Sequence, residues 1–191
     1  KWEAYTTWLS GMFMLGLIYY ASAEVYLIDR SVADLSTPAS IGIGLAFLAG
    51  GWIVYDLLCR SPLGRREPIL AAVMLVLCAF AAYALTQLYS GRGAYIHFGA
   101  MLGTIMTANV FFVIMPGQRE MVKAKSEGRI PDPAYSERGK QRSVHNTYFT
   151  LPVLFTMISN HYGWLYQGPN NWLVLVLLML AGALIRHSFV A

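Results

Sequence analysis

Residues 129–162, RIPDPAYSERGKQRSVHNTYFTLPVLFTMISNHY, decide the reading of the fold: a basic polar run passes without a spacer into an apolar stretch bounded by two histidines. Charge at one end of an apolar helix gives it a direction across a membrane. His145 and His161 then mark the two faces, and the rest of the chain can be laid out beside them.

Outward from this stretch the composition is that of an integral membrane protein. Of the 191 residues 57% are hydrophobic and 13% charged, against about 45–50% and about 25% in soluble domains. Six segments, 5–27, 39–58, 69–89, 94–115, 145–165 and 172–190, are apolar and near the roughly 20 residues that cross a hydrocarbon core. They lack the alternation of barrel strands, and in lipid every backbone amide must be satisfied within the segment, so they read as helices. The expected fold class is an all-α integral membrane helical bundle, one transmembrane domain over 1–191 with six transmembrane helices and a cytoplasmic basic loop at 116–144. SPLG at 61–64, SGRG at 90–93 and QGPNN at 167–171 punctuate the connections.

If the helices alternate, the connections at 59–68 and 116–144 share a face with both chain ends. That face carries 12 of the 14 lysines and arginines, and Arg30 and Arg92 lie opposite. The positive-inside rule places both ends of this chain in the cytoplasm. The net charge of +4 is thereby a topology signal, with the cations solvated or facing anionic lipid, and no nucleic-acid module is present. The two cysteines, Cys59 and Cys78, fit no disulfide or zinc pattern. Because the chain opens on Lys1 and enters a helix within a few residues, it is expected to be a piece of a longer polypeptide.

Four histidines sort by depth: His97 and His161 near the outer face, His145 and His187 near the inner. A histidine at membrane depth is a functional candidate because its ring needs a partner there. A bis-histidine b-type haem needs two ligands from neighbouring helices at one level, and the chain offers one candidate pair at each level, His97 with His161 at the outer, proposed for its iron, and His145 with His187 at the inner. The bland alternative is that all four bond to water, headgroups or backbone. His187, beside Arg186 at a helix end, fits that alternative best, although it too is a candidate for cofactor binding. His145 and His161 lie about 24 Å apart along an ideal helix and about 160° round it, so they face different neighbours unless Pro152 bends the helix.

Polar residues gather toward the inner side. Asn109, Arg142, His145, Asn146, Thr147 and Asp56 can converge on a pocket open to the cytoplasm, and amide, guanidinium and imidazole groups match a planar polar heterocycle. Against this, Asn109 can be interhelical glue and Arg142 a marker of orientation. Gly99 and Gly103, and Gly42, Ala46 and Gly50, have the spacing of helix contacts. No CxxCH, Gly-rich dinucleotide fingerprint, P-loop or HExxH occurs, so any redox cofactor is held non-covalently or lies outside the chain.

KWEAYTTWLSG at 1–11, GWIVYDLLCRSPLG at 51–64, HFGAMLGTIMTANVFFVIMPGQ at 97–118, the stretch at 129–162 and IRHSF at 185–189 together resemble the membrane-bound cytochrome c urate oxidases of bacteria, along essentially the whole chain. The resemblance implies an eight-helix membrane domain followed by a c-type cytochrome. It also implies oxidation of urate to 5-hydroxyisourate with electrons passed to haem c on a domain absent from this chain, in the bacterial inner membrane. On chemical grounds His145, Arg142, Asn146 and Asn109 are the catalytic candidates, with Arg142 offsetting the anion. The expected partners are urate, a c-type cytochrome and the lipid membrane. The competing reading is a non-catalytic subunit that scaffolds a larger respiratory or photosynthetic complex. A channel or carrier is disfavoured because no inverted repeat is evident.

Overall fold

A computed structural model describes residues 2–190, so Lys1 of the basic face falls outside the described residues. Those residues form helices and short connections, with no strand among them. Helix α1 (Trp2–Leu15) runs on through a π turn at Gly16–Tyr20 and is followed by the short α2 (Ala23–Tyr26). Then come α3 (Thr37–Arg60), α4 (Glu67–Thr86), α5 (Gly91–Asn109), α6 (Met115–Ser126), α7 (Pro133–Ile158) and α8 (Asn171–Val190).

Local chemistry sets these boundaries. Pro38 and Pro68 sit in the first turns of α3 and α4, where their missing N–H is not needed. Ser90 and Asp132 cap α5 and α7, accepting from the N–H groups of Gly93 and Ala134. A second π turn, Val110–Ile114, joins α5 to α6 just before Pro116. The proline cannot donate to the carbonyl four residues back and crowds it, and the widened turn absorbs the mismatch. In the connection after α2, Asp29 accepts from the Ser31 N–H at 3.0 Å and hydroxyl at 2.6 Å, which holds its carboxyl below the usual carboxylate range.

The long segments reverse direction one after another. At one end Tyr5 packs at a tilt against Phe111, Gln141 bonds the Gly64 carbonyl, and Tyr148 meets His187. At the other end Tyr89 donates to the Ser40 carbonyl, Arg92 meets Tyr19 and Asn160, and Tyr95 donates to the Asn171 carbonyl. The start of α1, the end of α3, the start of α4, the end of α5, the first half of α7 and the end of α8 therefore share one end of the bundle.

Four helical stretches among the described residues are long and apolar enough to cross a membrane: Thr37–Arg60, Glu67–Thr86, Gly91–Ser126 and Asn171–Phe189. They correspond to four of the six expected segments. The segment at 5–27 is divided by the π turn and the break before α2. The segment at 145–165 also departs from expectation. Its helix begins at Pro133, carries the polar residues of the expected loop, and closes at Ile158 into short 3₁₀ turns. Most of the loop expected at 116–144 is thus helical, in α6 and the first turns of α7. Hydropathy registers only the apolar part of a helix that continues into polar surroundings, whereas the Asp132 cap and Pro133 fix its true start.

Close approach occurs where glycine faces a neighbouring helix. A Cβ at Gly99 would strike the Thr156 hydroxyl, and one at Gly182 would come within 2.9 Å of the Pro152 ring. Along α3 it is Gly44 and Gly51 that meet α5, while Gly42, Gly50 and, on α5, Gly103 have nothing within 4 Å. The expected glycine spacing on α3 therefore marks an open face rather than the contact face.

Candidate functional site

At the basic end, Asp56 in the last turn of α3 binds two arginines. Its Oδ1 takes Arg142 Nη2 at 2.8 Å and its Oδ2 takes Arg60 Nε at 2.6 Å. Arg142 is 3% exposed and lies 4.7 Å over the Tyr55 ring, with a longer contact of 3.5 Å to Asn109 Oδ1. A guanidinium this buried requires a carboxylate partner, and the ring face lowers the cost of removing it from water.

An amide network continues from there. Asn109, fully buried, donates through Nδ2 to Tyr55 Oη at 3.1 Å and to Asn146 Oδ1 at 2.9 Å. Asn146 in turn donates to the Met106 carbonyl at 2.9 Å. Asn109 closes α5 immediately before the π turn, so the backbone irregularity lies next to the buried amide. Tyr55 Oη and His145 Nδ1 are 2.8 Å apart, and His145 Nε2 reaches Glu67 Oε2 at 3.2 Å. Gln141 donates to Glu67 Oε1 at 2.6 Å. The structure thus brings Arg142, His145, Asn146 and Asn109 into one connected cluster, as expected from their types and depth.

In front of the cluster is a cleft of about 810 Å³, lined by Cys59, Arg60, Arg65, Glu67, Arg138 and Arg142 among others. Of the four catalytic candidates, Arg142 alone is a lining residue, while Asn109, Asn146 and His145 stand behind the wall and hold it. Sequence reasoning missed Tyr55 and Glu67. Tyr55 had a signal, since it forms a polar pair with Asp56 near the end of an apolar helix. Glu67 had only its place at a helix start.

The remaining histidines lie elsewhere. His97 is fully buried, with Nδ1 at 2.9 Å from the Gly93 carbonyl and Nε2 at 3.2 Å from Tyr20 Oη. Rings of Tyr19, Tyr20 and Tyr89 surround it at centroid distances of 6.2, 5.6 and 4.9 Å, and Gly44 closes the fourth side. His161 is exposed in a 3₁₀ turn. Both nitrogens of His97 are engaged by protein groups, the Gly93 carbonyl and the Tyr20 hydroxyl, so in this arrangement neither is free for an iron. His187 is exposed and bonds Tyr148 Oη at 2.8 Å, which agrees with an interfacial role. No group of three or more His, Cys, Asp or Glu side chains placed to hold a metal ion occurs among the described residues.

Fold and site together define an all-helical protein with membrane-type helices and a buried arginine, carboxylate and amide cluster behind a basic cleft. The family profile described as urate oxidase N-terminal matches residues 1–191, the whole chain, and the chain belongs to that family. No curated protein and no solved structure matches it.

Proposed function

We propose that this chain is the membrane domain of a urate-oxidising oxidoreductase, with urate bound in the basic cleft against Arg142. The single observation that carries the reading is the placement of Arg142: a buried guanidinium at the cleft wall, fixed by Asp56 and Asn109. Urate at neutral pH is a planar anion. An arginine fork presents paired N–H donors in one plane and a positive charge, the combination that binds such an anion in a defined orientation. Arg60, Arg65 and Arg138 add to the positive field at the cleft mouth.

In this reading all six segments cross the bacterial inner membrane, with the basic end and both chain ends in the cytoplasm. The antiparallel order of the segments supports this, as does the packing of α7 between α5 and α8, two of the apolar helices. Urate enters from the cytoplasm. Conversion to 5-hydroxyisourate adds water and releases two electrons and two protons. A c-type haem, carried outside this chain, would take the electrons one at a time. The residues here bind and orient the anion, hold the cleft wall, and accept protons.

The test is urate-dependent reduction of cytochrome c by the protein in membranes. Arg142→Lys keeps the charge and removes the fork, and it is expected to lower kcat/KM by about 100-fold. His145→Ala is expected to lose activity while the protein still folds. Full activity in both variants would contradict the assignment. A bundle that only scaffolds a larger complex would show no urate-dependent reduction in any form.

A further inference from the structure

We propose that Glu67 takes the substrate proton in this cleft, with His145 and Tyr55 as positioning residues; this rests on the reading that the cleft holds urate. Glu67 begins α4, lines the cleft, and has a side chain 58% exposed. Two protein donors fix its carboxylate, Gln141 on Oε1 at 2.6 Å and His145 on Oε2 at 3.2 Å. Gln141 is itself tied to the Gly64 carbonyl at 2.7 Å.

Behind the imidazole the donors run in one order. Asn109 Nδ2–H donates to Tyr55 Oη, and the Tyr55 O–H donates to His145 Nδ1. The imidazole then carries its proton on Nε2, directed at Glu67. This is the arrangement of a carboxylate held by an imidazole whose tautomer a third group sets. Asp56 differs, because both of its oxygens are committed to arginines. Glu67 is instead oriented by two donors, reachable by water, and set among the arginines that would hold an anion. A general base in such a cleft has to meet those three conditions.

A urate N–H bond breaks, its electron pair stays on the purine, and the proton forms an O–H bond on Glu67. Two electrons leave singly to a one-electron acceptor of the c-type haem class. Glu67 discharges to bulk water, then accepts the second proton from the water that adds to the oxidised purine.

The experiment uses the protein in its membranes with oxidised cytochrome c as acceptor, and follows urate binding separately by protection of the cleft-lining Cys59 from alkylation. Glu67→Gln is expected to turn over about 100-fold more slowly while urate protection persists. Acetate is expected to restore turnover about tenfold in Glu67→Ala and to leave wild type unchanged. His145→Gln is expected to lower kcat about tenfold without changing KM. Glu67→Gln turning over within about threefold of wild type would overturn the proton role and leave the urate reading standing. Slow turnover with loss of urate protection and no rescue by acetate would overturn it too. A wild-type protein that neither binds nor oxidises urate would overturn both.

Discussion

Arg142 and Asp56 show how the site is stabilised at the scale of single residues. The pair is almost shielded from water, at 3% and 10% side-chain exposure, so removing one member leaves a buried charge without its partner. Asp56→Asn should destabilise the folded protein by roughly 3–5 kcal/mol. Arg60→Gln, which touches the same carboxylate from a side chain 62% exposed, should cost no more than about 1 kcal/mol. Denaturant unfolding of the detergent-solubilised variants checks both, and equal losses would count against the buried pair. Residue type and depth made Arg142, His145, Asn146 and Asn109 legible in the sequence, since polar groups near one end of apolar helices must find partners. Tyr55 and Glu67 were not legible as partners of His145, because helical periodicity gives the face of a residue and not the helix opposite. His97 was legible only as lying near the outer face; its full burial was not, because Tyr20, which satisfies its Nε2, lies on another helix 77 positions away.

Among the elements, α5 and α7 make the contact on which the site depends, because Asn109 and Asn146 bond across it. Gly99 lets the two helices approach at Thr156, whereas Gly103, one turn further on, faces open space. Gly99→Ala should therefore destabilise by about 1–3 kcal/mol through overpacking, with part recovered in Gly99→Ala combined with Thr156→Ala. Gly103→Ala should be neutral or stabilise by about 0.5–1 kcal/mol, because alanine loses less backbone freedom in a helix. Thermal unfolding of the four proteins measures the difference. The GxxxG pattern in the sequence contained both glycines and gave no means of ranking them. The four strongest apolar helices were legible from length and hydropathy alone. The true extent of α7 was not, because its first half is polar and its helicity rests on the Asp132 cap, Pro133 and packing against α6.

For the whole molecule, the alternating order of segments gathers the cytoplasm-type charge and the cleft at one end. In a background with Cys59 and Cys78 replaced by serine, a cysteine introduced at Ser31 should react with a membrane-impermeant maleimide added outside intact cells. One introduced at Ser136, on the exposed first half of α7, should react only after the membrane is opened. Labelling of both from outside would contradict the six-crossing arrangement. The chain belongs to the urate oxidase N-terminal family, but a shared scaffold does not by itself show that a site works, so occupancy of the cleft by urate decides the proposal. Cys59 lines that cleft and Cys78 is buried in α4, which makes a single thiol the reporter. The most direct measurement is the rate of Cys59 alkylation in the membrane-embedded protein as urate is added. A saturable slowing of about tenfold or more, lost in Arg142→Lys, is the predicted result; an alkylation rate indifferent to urate would contradict the account.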